Sequence, residues 1–293
     1  MNLLDLNLLS KIKSLELKAK HVIEGFLAGL HKSPFHGFSV EFAEHRQYMP
    51  GDEIKRIDWR VYARTDRFYT KLYEEETNMN VFILVDKSKS MDYGLKGLKK
   101  YEYASILAVC ISYILINQRD KVSVFTFSED ISKFLPPSSS FSHFKAIINL
   151  LEEEKPAGGT DISKAIKNLT GYVKRKSMII LISDLLTEQK TVLHFIKGLA
   201  VQKHDVLVLH IFDPSEIDFT FKEEMVFKDM ENLSEIMISP YIHDSYKKVV
   251  HNFIEKYRDE FLKSGIDYNL IKTDEKFDKA LIYCLRKRSE ISI

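Results

Sequence analysis

Apolar residues follow two rhythms along this chain. Uninterrupted short runs, Val81 to Val85, Ile179 to Ile182 and Val206 to Ile211, with Val and Ile prominent, predict strands buried on both faces. Lys121 to Phe127 and Ile266 to Lys272 predict two more strands. Between them, apolar residues recur at three- and four-residue steps. Those steps predict helices at Tyr101 to Leu115, Phe144 to Leu151, Ile162 to Val173, Thr187 or Glu188 to Ala200, Asp244 to Lys263 and Thr273 or Asp274 to Arg288. Strands alternating with helices build a doubly wound, mainly parallel α/β sheet flanked by helices.

Two regions depart from that alternation. Leu8, Leu9, Ile12, Leu15, Ala19, Val22, Ile23, Phe26, Leu27 and Leu30 make an amphipathic helix across most of residues 3–30. Its polar face mixes Glu and Lys, which favours packing on the folded body over peripheral contact with a membrane. Residues 217–239 carry short segments, Ile217 to Phe221, Met225 to Met230 and Ile236 to Ile238, that read as a hairpin with a third strand. Phe134 to Ser140, with Pro136 and Pro137, reads as a loop.

Several strands end in oxygen chemistry. Asn80 to Val85 runs into Asp86-Lys87-Ser88-Lys89-Ser90, Ile179 to Ile182 into Ser183-Asp184, and Gly158-Gly159 lets the chain turn to present Thr160-Asp161 before a helix. The carboxyl edge of a parallel sheet is where ligands bind. Acids and hydroxyls without His or Cys suit a hard cation such as Mg2+, with Mn2+ or Ca2+ as alternatives. Asp213 also ends a strand, but Asp-Pro is a common turn opener. Lys87 and Lys89 interleave with the donors, and their alternation with the serines predicts that they point outward.

Composition bounds the rest. The 293 residues exceed a single small core, and 45% hydrophobic with 29% charged is a globular balance. A net charge of +1, from 43 basic and 42 acidic side chains, argues against nucleic-acid binding by bulk electrostatics. No apolar run is long enough for a transmembrane helix, and the N-terminus lacks a secretory pattern. Cys110 and Cys284 fall in helical patterns without metal-ligand spacing and read as buried thiols, so the cytoplasm is the expected address.

Between Arg46 and Lys71 lie seven basic and four acidic side chains and the single tryptophan, with Pro50-Gly51 as a turn between short antiparallel strands. Arg46, Trp59, Arg60 and Arg64 are candidates for a partner-docking surface. The competing account is an internal network in which Asp52 and Asp58 pair with Arg56, Arg60 or Arg64.

The order Asp86-x-Ser88-x-Ser90, then Thr160, then Asp184 resembles the metal-ion-dependent adhesion site of von Willebrand factor A domains. With the preamble Arg46-Gln47-Tyr48-Met49-Pro50-Gly51-Asp52, Asp58-Trp59-Arg60 and Ala63-Arg64-Thr65-Asp66-Arg67 before it, the chain resembles the bacterial family catalogued as domain of unknown function fifty-eight. That resemblance implies residues 1–77 as helix and preamble. Residues 78–293 would be the von Willebrand factor A-like domain, with a hairpin inserted at about 217–239. The preamble strands and the hairpin would form a small β-rich appendage.

It further implies a metal held by Asp86, Ser88, Ser90, Thr160 and Asp184 that engages a partner carboxylate. The partner would be a MoxR-type AAA+ ATPase, a client protein, or both, in a chaperone-like or protein-maturation system. Two alternatives stay open: a metal-dependent phosphoester hydrolase, and a structural domain with an empty site. No Gly-x-x-x-x-Gly-Lys loop or Gly-x-Ser-x-Gly elbow is present, and His143, His194, His204 and His210 are catalytic candidates by type only, so a non-enzyme is expected.

Overall fold

The computed structural model describes residues 9–30, 45–48, 61–62, 64, 67–71, 79–95, 97–218, 225–228, 235–238 and 243–291. The chain divides into two compact units, Met1–Leu27 with Met79–Ile293, and Ala28–Asn78.

Within the smaller unit, β1 (His45–Gln47) and β2 (Tyr69–Lys71) form a two-stranded antiparallel sheet, with Arg46 opposite Thr70. Tyr62 stacks on Phe68 with ring centroids 4.4 Å apart. Arg64 is exposed. Trp59 and Arg60, proposed above for docking, lie outside the described residues, as do Asp52, Arg56 and Asp58.

The larger unit is built on a six-stranded sheet. Its strands are β3 (Asn80–Asp86), β4 (Lys121–Phe127), β5 (Ile131–Ser138), β6 (Met178–Ser183), β7 (Asp205–Phe212) and, later in the chain, β10 (Asp267–Lys272). Their spatial order is β10-β7-β6-β3-β4-β5, all parallel except β5. The apolar runs form strands because the sheet is covered on both faces, so neither side of a central strand meets water. β3 and β6 are buried along nearly their whole length.

One face carries α4 (Ile162–Tyr172), α5 (Gln189–Val201) and α7 (His243–Leu262), packed on Phe82, Leu84, Phe125, Ile179, Leu181 and Val208. Helix α2 (Lys100–Asn117) packs between the sheet and both α3 (Phe141–Glu153) and α8 (Phe277–Ile291); α8 also reaches β7 and β10, and α3 reaches the edge strand β5. Helix α2 is buried on nearly all sides, because α1 (Leu15–Leu30) packs over it: Leu15, Ala19, Val22, Ile23 and Phe26 are buried, and Lys18 pairs with Glu102. Cys110 and Cys284 are buried free thiols.

Two local expectations are corrected. Phe134 to Ser138 belongs to β5, an edge strand antiparallel to β4. Leu135 lies opposite Val124 and Ser138 opposite Val122, so Pro136 and Pro137 occupy a bulge where no ladder N–H is needed. The hydroxyl of Ser123 reaches the Leu135 carbonyl across it at 2.6 Å. The hairpin forms from the second and third segments, β8 (Met225–Lys228) pairing with β9 (Glu235–Ile238) in a sheet of its own. Ile217 and Asp218 belong instead to a one-turn helix α6 (Pro214–Asp218).

Strand order positions the site. The connection after β3 runs outward to β4, while that after β6 runs the other way to β7, so the connections diverge above the β3–β6 pair. Such a switch point opens a crevice at the strand ends. Asp86 ends β3 and Asp184 follows β6, on the two sides of it.

Candidate metal centre

Asp86 is fully buried. Its Oδ1 accepts the Ser88 N–H at 2.8 Å, and its Oδ2 accepts the Ser183 hydroxyl at 2.5 Å. A short 3-10 turn at Lys89–Asp92, closed by Met91 N–H donating to the Ser88 carbonyl, brings Ser90 back beside Ser88. The two hydroxyl oxygens are 3.0 Å apart. Neighbouring oxygens on an octahedral Mg2+, each ~2.0–2.1 Å from the ion, stand about 2.8–3.0 Å apart, so the two serines are spaced as adjacent ligands.

A second loop lies against the first. Ala157 N–H donates to the Lys87 carbonyl at 2.8 Å and Lys89 N–H to the Gly158 carbonyl at 2.9 Å. Gly158 makes the turn at φ +76°, which an L side chain resists. The Asp161 carboxylate then caps α4, accepting from Lys164 N–H at 3.1 Å. These bonds place half-buried Thr160 between the capped helix and the Asp86 loop, with its carbonyl accepting from the Thr187 hydroxyl at 3.3 Å.

Asp184, on the third loop, is also fully buried. Its oxygens accept from Lys100 Nζ at 2.8 Å, from Leu186 N–H at 3.2 Å and from the Ser90 hydroxyl. The turn after it holds Leu185 in the left-handed region at φ 52°, a strained setting for a bulky residue. Its N–H donates to Ser183 Oγ, and its carbonyl accepts from Thr187 N–H and the Tyr257 hydroxyl. Four of the five residues named from the sequence therefore form one hydrogen-bonded cluster, and the Thr160 loop is stapled to it through the backbone.

Lys100, which the sequence reading did not single out, is the unforeseen member. Its ammonium is fully buried and bridges Asp184 Oδ2 at 2.8 Å and Glu216 Oε1 at 2.7 Å. Nothing in local sequence links positions 100, 184 and 216, and a lysine opening an apolar helix carries no pattern of its own. His210 was named only by residue type. It is buried, with Nε2 2.7 Å from the Asp184 carbonyl and Nδ1 2.6 Å from the Tyr268 hydroxyl. A carbonyl only accepts, so Nε2 carries the proton and Nδ1 accepts from Tyr268.

The electrostatics are lopsided. Burial, then the charge of Asp184, raises the Asp86 carboxyl to about 7. For Asp184, burial works upward, but the Lys100 charge and hydrogen bonds prevail and hold it below the usual carboxylate range. Burial also raises Glu216, against the pull of Lys100, and pushes His210 down to about 4, so the imidazole is neutral. Lysine is thus supplied to Asp184, while Asp86 is met by the Ser88 amide and by the hydroxyls of Ser183 and Ser88.

Of the two interleaved lysines, Lys87 differs from the outward orientation expected of it. Lys87 is mostly buried, its ammonium 2.6 Å from Glu154 Oε2, which cancels its charge near the donors. Glu154 is thereby drawn into the site as the partner of Lys87, and the exposed Glu152 accepts from Leu15 N–H. Among the described residues, no three His, Cys, Asp or Glu side chains gather as a metal cluster. The donor set is instead carboxylate and hydroxyl oxygen, which fits a hard divalent ion.

A six-stranded, mostly parallel sheet in this order, flanked by helices, carries the Asp86 and Asp184 loops at its switch point, which is the doubly wound α/β arrangement expected from the sequence. Residues 44–256 match the family described as "Protein of unknown function DUF58", and the chain belongs to that family. Among its relatives, an uncharacterized protein of Mycobacterium tuberculosis is 25% identical over 249 residues, 83% of this chain and 78% of the relative. Protein YeaD of Bacillus subtilis is 37% identical over 59 residues, 20% of this chain and 15% of YeaD.

Among solved structures, the conserved hypothetical protein BatB of Bacteroides thetaiotaomicron aligns with TM-score 0.51 at 20% identity, over 72% of this chain and 99% of that one. An aerotolerance-related membrane protein from Bacteroides fragilis aligns with TM-score 0.53 at 18% identity, over the same shares of 72% and 99%. The SpRpn10 VWA domain aligns at 0.44 with 11% identity, over 70% and 94%. No described helix of this chain is long and apolar enough to cross a membrane.

Proposed function

We propose that this protein is a metal-dependent binding adaptor, with Mg2+ held by Asp86, Ser88, Ser90, Thr160 and Asp184 and a carboxylate of a partner protein completing the shell. The observation that carries this reading is the pair of serine hydroxyls 3.0 Å apart beside Asp86, a buried carboxylate whose neighbours supply no cation. An ion bound there supplies a Lewis-acidic contact for an external oxygen. The chain's own residues hold the three loops in register and exclude water from the two acids. His210 braces the Asp184 backbone as a neutral donor and makes no bond to the serine hydroxyls, which is the role of a support and not of a general base.

Binding, and not catalysis, is therefore the favoured activity. By resemblance to its family, the partner is a MoxR-type AAA+ ATPase or a client of that system. Calorimetric titration of the wild type with Mg2+ and Mn2+, repeated on Asp86→Ala, tests the site. A saturable signal lost in the variant is expected, and equal signals would move the ion elsewhere. Capture of the ATPase in Mg2+, abolished by a chelator and by Asp86→Ala, is expected of the adaptor; chelator-insensitive capture would remove the metal from recognition.

A further inference from the structure

Lys100 is placed against local electrostatics. It is the first residue of α2, at the positive end of the helix dipole, where a cation is disfavoured. Burying an ammonium there demands compensation from tertiary partners. Those partners are Asp184 and Glu216 at 2.8 and 2.7 Å, with the Tyr93 ring centroid 5.8 Å away. Each is anchored in turn. Glu216 Oε2 accepts the Asp213 N–H at 2.8 Å, the Tyr93 hydroxyl bonds Ser215 at 2.9 Å, and Asp184 is fixed by Leu186 N–H. The ammonium is thus gripped from β6, α6 and the loop before α2, with no exposure to solvent.

We propose that Lys100 is the resident counter-ion of the candidate metal centre: it holds Asp184 and Glu216 together before any metal arrives, and its fixed like charge limits how tightly a divalent cation is retained. This rests on the reading of Asp86, Ser88 and Ser90 as metal ligands. Asp184 and Glu216 share one ammonium, while Asp86, beside the serine hydroxyls, is paired with none. Because Lys100 occupies Asp184 Oδ2, less of that carboxylate's charge is available to an ion beside Ser90. Removing the ammonium frees that charge, while removing Glu216 leaves Lys100 to Asp184 alone. The two substitutions therefore act on the ion in opposite directions, which a bridge serving stability alone would not do.

The experiment is Mn2+ titration by calorimetry on the wild type, Lys100→Met, Glu216→Gln and Asp86→Asn. Lys100→Met is expected to tighten Mn2+ by about tenfold or more, and Glu216→Gln to weaken it by a similar factor, from removal of a single charge near the ion. Equal affinity in the wild type and both variants, or weakening in both, overturns the proposal. Should Lys100→Met fail to fold, Glu216→Gln decides: weaker binding supports the counter-ion role, and wild-type binding rejects it. Asp86→Asn separates the two readings. If it binds Mn2+ as the wild type does, the metal assignment itself falls; if it loses binding while the other variants match the wild type, only the role of Lys100 falls.

Discussion

Two strands of the central sheet end in the same short phrase, an Asp followed two residues later by a Ser, and the tertiary structure uses them differently. At the end of β7, Asp213 Oδ1 accepts from both the N–H and the hydroxyl of Ser215, at 2.9 and 2.5 Å, and its Oδ2 accepts from Leu95 N–H and the Thr273 hydroxyl, at 3.2 and 3.3 Å. Four donors close that carboxylate, and its serine is spent on it. At the end of β3, Asp86 takes the Ser88 N–H and, from one other segment, the Ser183 hydroxyl; the Ser88 hydroxyl is shared between Asp86 and Ser90, and the nearest strand brings a second acid. The first is a staple and the second the candidate site. What separates them is the number of donors delivered by other segments, not the motif.

Removing each carboxylate sharpens the contrast most. Asp213→Ala orphans several donors and is expected to destabilise the metal-free protein by about 3 kcal/mol or more in urea melts, while leaving Mg2+ binding in place. Asp86→Ala should abolish Mg2+ binding, yet shift metal-free stability by only about 1 kcal/mol, because it also removes repulsion from Asp184. If Asp213→Ala instead cost binding and Asp86→Ala cost stability, the assignments would be reversed.

The serines give the next pair. Ser215→Ala is expected to lower stability by about 1–2 kcal/mol through its lost bond to Asp213. Ser88→Ala should leave the melt within about 0.5 kcal/mol of wild type and weaken Mg2+ by roughly tenfold or more, as read by calorimetry.

A pH series tests the Asp86 side of the comparison. Burial and the charge of Asp184 raise its carboxyl in the folded metal-free protein to about 7, well above the usual carboxylate range. A raised folded value stabilises fully below the unfolded pKa, and that contribution is lost as pH rises through about 7. A dication relieves the penalty at higher pH, so the increase in Tm produced by Mg2+ should be larger at pH 8 than at pH 6. The difference should vanish in Asp86→Asn; a pH-independent Mg2+ effect in the wild type would place the ion away from this acid.

The smallest effect belongs to the loop that carries Thr160. Gly158→Ala, at φ +76°, is expected to cost about 1 kcal/mol from backbone strain, since a Cβ there meets Ser128 only at ordinary contact distance. A loss well above that would mean that the Lys87–Ala157 and Lys89–Gly158 bonds hold the whole crevice together.

Strands β3, β6 and β7 were legible because covered faces demand continuous apolar runs, and most of the helices because each shows one apolar stripe. Asp86, Ser88, Ser90 and Asp184 were legible for a related reason: polar residues that abruptly end a buried strand must lie at the sheet's edge. β5 was not, since its two prolines are tolerated only because an edge strand can bulge there. Lys87 was misjudged because alternation predicts the face of a strand, and the chain has left the strand by that point.

Local sequence by itself therefore determined the α/β alternation, the strand-end position of the oxygen donors and the turn that presents Thr160, because periodicity and backbone preference act between neighbours in the chain. Only the tertiary structure decided that Asp86 should lack a cationic neighbour, that Asp213 should be closed by Leu95 and Thr273, and that Lys100 should be buried between Asp184 and Glu216. Charge and hydrogen-bond satisfaction depend on what lies within a few ångströms in space, and those partners come from segments as many as 118 residues apart.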